Sequence, residues 1–239
     1  MNLAGKRVVV TGGGSGYGKG IAVVLVRAGA EVWITGRSRE KLESTANETG
    51  AHPVVADVRS GADWDRLFDM VGDIDVLVNN AGCGGRIVPM AEQDDASIAD
   101  VIATNLTGPM LGASRAARVM SVRRTGAIVN ISSVCAHHAW PGWSAYTAAK
   151  AGLLKFSHGL FTEMRPFGVR VTCVVPSWGQ TNFNKSAGIA GASEDPARAS
   201  RCISGEQLGK IVLDLLALPD DLVVPEITVL PMIQEICPM

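Results

Sequence analysis

Short runs of branched apolar residues alternate along the chain with longer stretches in which polar and apolar residues mix. The runs cover Arg7–Thr11, Glu31–Thr35, Pro53–Ala56, Asp75–Asn79, Ala127–Ile131, Val169–Val175 and Glu226–Leu230. Most are apolar at nearly every position rather than at every second one. A strand with one wet face alternates, so unbroken runs predict strands of a parallel sheet covered on both faces. The stretches between them, 94–121 and 144–166 among them, are long enough for the helical crossovers that parallel strands require. No internal repeat, low-complexity linker or charge block divides the chain. The pattern predicts one α/β domain over residues 1–239: a doubly wound, seven-stranded parallel sheet with helices on both faces.

Residues 177–205 depart from that rhythm. Ser177-Trp178-Gly179-Gln180-Thr181-Asn182-Phe183-Asn184-Lys185 leads into a stretch rich in Gly, Ala and Ser. It follows a strand end, where open α/β sheets bind ligands, so a lid over a site is expected. The plain alternative is a surface loop.

Composition removes several function classes. An apolar content of 47% fills a sizeable core, and a formal charge of −1 with acids and bases interspersed gives no basic stripe for nucleic acid. No apolar run is long enough to cross a bilayer. The first residues run straight into a strand, which predicts no signal peptide. The five cysteines are scattered and odd in number, and neither they nor the four histidines have metal-ligand spacing. Reduced thiols in a cytoplasmic protein without a metal site are expected.

Two places carry chemistry. Thr11-Gly12-Gly13-Gly14-Ser15-Gly16-Tyr17-Gly18 follows the first strand and opens a helix, the context in which a glycine loop cradles a pyrophosphate. A tight turn is the alternative. The second strand ends in Thr35-Gly36-Arg37-Ser38, without the acid that would bind a ribose 2′-hydroxyl. Arg37 can pair with a 2′-phosphate instead, with Ser38 adding a hydroxyl, which predicts NADP(H) over NAD(H). The second place is Tyr146 and Lys150, which a helix would set on one face. An ammonium roughly 4 Å from the phenol, at an effective dielectric near 20, favours phenolate by about 4 kcal/mol. That would bring a tyrosine with an ordinary pKa of about 10 down towards neutrality.

Six pieces together resemble the short-chain dehydrogenase/reductase family. They are Thr11-Gly12-x-x-x-Gly16-x-Gly18, Asp57-Val58, Asn79-Asn80-Ala81-Gly82, Asn105 within Thr104-Asn105-Leu106, Ser133 after Ile128-Val129-Asn130-Ile131-Ser132, and Tyr146 with Lys150. The resemblance implies a Rossmann domain and a nicotinamide cofactor. It implies Tyr146 as general acid or base, Lys150 as its electrostatic helper and holder of the ribose, Ser133 as hydrogen-bond donor to the substrate oxygen, and Asn105 as part of a proton relay. Ser132 competes with Ser133, and strand alternation points the two to opposite faces. Cofactor contacts are implied at Gly12, Gly14, Ser15, Gly16, Tyr17, Gly18, Arg37, Ser38, Asp57, Val58, Asn79, Ala81, Gly82, Tyr146, Lys150, Pro176 and Thr181.

Two places differ from the family's usual pattern. Pro176-Ser177 stands where Pro-Gly is frequent, and the chain lacks the common Asp-Gly-Gly ending. Residues Val223–Gln234 are similar instead to the branch with bacterial serine and 3-hydroxy acid dehydrogenases and sulfoacetaldehyde reductases, which commonly uses NADP.

For the substrate, Arg86, His138, Trp143 and Trp178 are the main candidates, with His137, Trp140, Gln180, Asn182, Asn184 and Lys185 nearby. Arg86 or Lys185 could hold an anion, which points to a small hydroxy acid, hydroxysulfonate or polyol. A more apolar ketone or alcohol stays open, as does an NADP(H)-binding regulator without turnover. The family implies a homo-oligomer, a tetramer or dimer. Leu153, Leu154, Phe156, Leu160 and Phe161 exceed what one helix face would need for its own core.

Overall fold

The computed structural model describes residues 1–183, 187 and 196–234. Seven strands form one sheet: β1 (Arg7–Thr11), β2 (Glu31–Gly36), β3 (His52–Val55), β4 (Val76–Asn79), β5 (Gly126–Ile131), β6 (Val169–Pro176) and β7 (Glu226–Val229). Their spatial order is β3-β2-β1-β4-β5-β6-β7, and every neighbouring pair is parallel. The helices are α1 (Gly16–Arg27), α2 (Arg39–Thr49), α3 (Gly61–Val71), α4 (Asp95–Ile102), α5 (Gly108–Arg123), α6 (Ser144–Met164), the short α7 (Pro196–Ala199) and α8 (Gly205–Ala217).

Strand parity divides the core in two. Val8, Val10, Val76, Val78, Val129 and Ile131 face one side and pack with Ile21 and Leu25 of α1 and Leu208 and Val212 of α8. Val9, Leu77, Ile128 and Val171 face the other and pack with Trp64 and Leu67 of α3, Met120 of α5 and Leu160 and Met164 of α6. β4, β5 and β6 are buried along their whole length, which is why their sequences read as unbroken apolar runs.

The α6 residues read as surplus are largely used inside the chain. Leu153, Leu154 and Leu160 are buried, while Phe156 and Phe161 pack partly buried against the α3–α5–α6 core. The physical reason is that α6 buries more than one face, packing on β6, on α4 and α5, and on a 3-10 turn at Val134–Ala136. Among the described residues no helix is long and apolar enough to cross a membrane.

Between β1 and β4 the winding reverses, which opens a crevice at the carboxyl ends of the strands. Into it lead the β1–α1 glycine loop, the segment after β4, the turn after β5 and the segment after β6.

Candidate active site

The glycine loop is built to receive an anion. Gly12 and Gly16 hold φ of +68° and +53°, values that side chains other than glycine tolerate poorly. A Cβ on Gly18 would come within 2.2 Å of the Gly12 carbonyl oxygen. Helices α2, α3, α4 and α8 are each capped by a side chain, from Ser38, Ser60, Asp94 and Ser204. At α1 the N-cap Ser15 makes no such bond, and no acid stands in the first turn. Its leading amides and its dipole are therefore available to a phosphate. A cavity of about 370 Å³, lined by Gly16, Gln180, Thr181, Asn182, Ala199 and Ser200, adjoins the loop.

Thr11 fastens β1 to β4. Its hydroxyl accepts from the amides of Asn80 (2.9 Å) and Ala81 (3.0 Å), while the Asn80 side chain donates to the Thr11 carbonyl at 2.9 Å. Asn79 stands differently from the expectation of a cofactor contact. It lies on the same parity as Leu77, faces α5 and α6, and is 2% exposed. Its amide donates to Asn130 Oδ1 at 2.9 Å and to the Pro109 carbonyl at 3.3 Å. Asn130 in turn donates to Ser157 Oγ at 2.9 Å. The side chain thus ties β4, β5, α5 and α6 together beneath the crevice.

At the adenine end, Arg37 is exposed at the end of β2 and no acid stands beside it in sequence. Ser38 Oγ caps α2 by accepting from Lys41 N at 3.4 Å. Asp57 is already engaged: Arg59 donates to it from Nε at 3.0 Å, and this hydrogen bond above all holds the carboxyl below its usual range. Arg59 also pairs with Asp100 of α4. Val58 is buried, and its carbonyl accepts from Trp64 Nε1 at 2.9 Å.

Four polar residues meet where β4, β5 and α6 converge. Tyr146 is 7% exposed and Lys150 4% exposed. The Ser133 hydroxyl lies close enough to the phenol to lower its pKa and accepts from Cys135 N at 3.2 Å. Ser132 turns the other way, and its hydroxyl donates to the Lys150 carbonyl at 3.0 Å. It serves the packing of α6 and leaves Ser133 as the serine that faces Tyr146. Asn105 sits in a π-helical turn, Ala103–Thr107, between α4 and α5, a distortion frequent at functional sites. Its amide donates to the carbonyls of Cys83 (2.8 Å) and Val101 (2.9 Å), and its Oδ1 accepts from Cys83 N at 3.3 Å. A Cβ on Gly82 would lie 2.7 Å from Asn105 Oδ1 and 3.6 Å from Lys150 Nζ. The glycine backbone therefore runs directly over both.

The electrostatics overturn one expectation. Lys150 Nζ lies 5.7 Å from the Tyr146 ring centre and donates to the Ile131 carbonyl at 3.0 Å. Burial raises the Tyr146 phenol above its ordinary value, against a weaker lowering by Ser133. Burial also pulls Lys150 down to about 8. Desolvation dominates both groups, so in the free protein the phenol stays above neutrality. Burial likewise raises the thiols of Cys135 and Cys173, the latter to about 11.

The substrate candidates separate into two groups. Trp143 stands edge-on to Tyr146 with ring centres 5.6 Å apart, and His138 and Trp140 form an edge contact at 6.1 Å on the same rim. Phe183, which the sequence reading did not single out, stacks on Trp143 at 6.0 Å and lies 5.1 Å from the Tyr146 ring. Arg86, by contrast, is exposed and donates to Asp94 at 3.1 Å and to the Glu92 carbonyl at 3.3 Å. Its Nη1 is thus tied to its own loop at the surface. His137 pairs with Glu226 of β7 at 2.7 Å. Gln180 donates to the carbonyls of Ala199 (2.9 Å) and Cys202 (3.2 Å), joining the two described ends of the expected lid. Trp178 is exposed, and Pro176 is buried at the end of β6. Asn184 and Lys185, with the middle of that lid, lie outside the described residues. Among the described residues no group of three or more His, Cys, Asp or Glu could hold a metal ion.

Comparison with known proteins agrees with this arrangement. The family model described as short chain dehydrogenase matches residues 6–190. The 3-oxoacyl-acyl-carrier-protein reductase FabG of Chlamydia pneumoniae is 33% identical over 231 residues, covering 86% of this chain and 92% of that protein. Serine 3-dehydrogenase of Agrobacterium fabrum is 29% identical over 236 residues, covering 95% and 94%. Among solved structures, the closed form of serine dehydrogenase complexed with NADP+ superimposes with a TM-score of 0.89 at 26% identity, over 98% of each chain. The chain belongs to the short-chain dehydrogenase family.

Proposed function

We propose that this protein transfers a hydride between NADP(H) and the carbonyl or carbinol carbon of a small, uncharged ketone or secondary alcohol. The observation that carries the reading is the Tyr146 hydroxyl against Ser133, with Lys150 and Asn105 packed behind it. Tyr146 delivers or accepts the proton at the substrate oxygen, and Ser133 donates a hydrogen bond to the same oxygen. Lys150 and Asn105 keep the polar path behind the phenol, and the main chain of Gly82 covers it. The bound dinucleotide supplies the hydride. Its pyrophosphate fits the open amides of α1, and its 2′-phosphate fits Arg37 and Ser38. An NADP+ complex of a structural relative supports the cofactor choice.

The wall of Trp143 and Phe183 beside Tyr146, and the self-paired Arg86, favour an uncharged substrate over the hydroxy acid or hydroxysulfonate expected at first. A ketone at the reacting position suits the likeness to a 3-oxoacyl reductase. The test follows NADPH oxidation over a panel of neutral and anionic carbonyl compounds. Tyr146→Phe is expected to lower kcat by about 10²–10⁴, the usual worth of general acid catalysis, while NADPH still binds. Turnover that survives the substitution, or a panel in which only anions react, would overturn the reading.

A further inference from the structure

We infer that Tyr17 is a positioning residue: its hydroxyl fixes the Ser177–Phe183 segment against the glycine loop and so sets where Thr181 and Phe183 stand over the catalytic end of the crevice. This rests on the function proposed above and gives Tyr17, which the resemblance implied only as a cofactor contact, a different part in it. Tyr17 follows Gly16 at the start of α1, yet its hydroxyl donates across the crevice to the Ser177 carbonyl at 3.0 Å. The backbone of Gly179 lies on the same ring, where an added Cβ would come 2.1 Å from the hydroxyl oxygen and 2.4 Å from Cζ. Only glycine lets the segment approach so closely. Two residues further on, the Thr181 side chain rests against Gly16, where a Cβ would be 3.2 Å from Thr181 Cγ2. The segment then turns, with Phe183 N donating to Thr181 Oγ1 at 3.3 Å, and delivers the Phe183 ring to Trp143 and Tyr146.

The other attachments of this segment come from elsewhere in the fold. Ser177 N donates to the Val229 carbonyl at 3.0 Å, and its hydroxyl meets Gln234 Oε1 after β7. Ile203 N donates to the Trp178 carbonyl and Gln180 N to the Ile203 carbonyl, both at 2.9 Å. These bonds hold the segment to β7 and to the residues just before α8. Tyr17 joins it to the loop that receives the pyrophosphate, and so relates the position of Phe183 to that of the cofactor. Burial raises the Tyr17 phenol above its ordinary value, so the hydroxyl stays a donor across working pH.

The experiment compares the wild type with Tyr17→Phe, which keeps the ring, and with Ser177→Gly, which removes the Gln234 contact and keeps the carbonyl that Tyr17 bonds. Hydrogen exchange of amides 177–183 is measured with and without NADPH, alongside steady-state kinetics. In Tyr17→Phe these amides are expected to exchange faster, and NADPH to protect them less than in the wild type. KM for the carbonyl substrate should rise about five-fold, the worth of one hydrogen bond, while the Kd for NADPH stays within about two-fold. Unchanged exchange in Tyr17→Phe overturns the inference whether or not the wild type turns over. An equal loss in NADPH affinity overturns it too, because Tyr17 would then be an ordinary cofactor contact. A wild type that oxidises NADPH with no carbonyl compound defeats the proposed function alone.

Discussion

Replacing Lys150 by methionine is expected to abolish turnover without weakening the fold at neutral pH. Lys150 is 4% exposed, donates once, to the Ile131 carbonyl at 3.0 Å, and pairs with no carboxylate among the described residues. Burial lowers it from 10.5 to about 8. At about 1.4 kcal/mol per pKa unit, holding the ammonium inside costs about 3 kcal/mol of folding free energy at pH 7. Methionine has nearly the same reach and no charge. It leaves the Ile131 carbonyl without its donor, a cost of about 1–3 kcal/mol. The net change at pH 7 lies between about zero and a gain of about 2 kcal/mol.

The pH dependence isolates the proton from the lost hydrogen bond. Between about 8 and 10.5 the folded lysine is neutral while the unfolded one is still charged. The unfolded chain therefore binds more protons in that window, and wild-type stability rises with pH relative to the variant. From pH 7 to pH 10 any advantage of Lys150→Met should shrink by about 2 kcal/mol. Urea unfolding of both proteins at matched pH, without added nucleotide, measures it. A difference that stays constant across this range, or widens, would refute the argument that desolvation governs this lysine.

Four substitutions test the rest of the site. Arg37→Ala removes charged hydrogen bonds worth about 1.5–3 kcal/mol, so kcat/KM with NADPH should fall about 10–100-fold while that with NADH changes little; parallel losses with both cofactors would remove Arg37 from the 2′-phosphate. Arg86→Ala should leave KM for a neutral ketone unchanged, because Arg86 is held by Asp94; a several-fold rise would return Arg86 to the substrate site. Ser133→Ala should lower kcat by about 10²–10⁴ and stability by about 1 kcal/mol through its lost bond to Cys135 N. Ser132→Ala should lower stability similarly, through its bond to the Lys150 carbonyl, with little change in kcat. Thermal melts and initial rates on the pair would expose a swapped assignment.

The strands were legible because a doubly covered parallel sheet writes its burial into the sequence as unbroken apolar runs, and those runs end within a residue or two of β1 to β7. Parity carried further than position. It separates Ser132 from Ser133 correctly, and the same rule applied to Asn79 would have sent its side chain to the Leu77 face, away from the crevice. What the chain could not show was direction at the ends of long side chains. Four-residue spacing puts Tyr146 and Lys150 on one helix face, but it does not say that Nζ turns to the Ile131 carbonyl. It also does not say that burial dominates the phenol's pKa. Arg86 reads as a free cation until the loop to Asp94 is folded. Phe183 carries no motif, and Tyr17 reads only as part of the glycine loop: their positions come from the path of the segment after β6, which brings Gly179 onto one ring and Trp143 onto the other. The apolar content that fixes the sheet leaves the cleft's polar hands undetermined, and in this chain those hands decide between an anionic and a neutral substrate. With Arg86 paired to Asp94 and rings beside Tyr146, the proposed reading has discrimination rest on shape and apolar contact. One methylene in such a pocket is worth about 1–3 kcal/mol, so a graded preference across neutral ketones is expected rather than a sharp cutoff. A steep requirement for a carboxylate would refute the neutral-substrate reading.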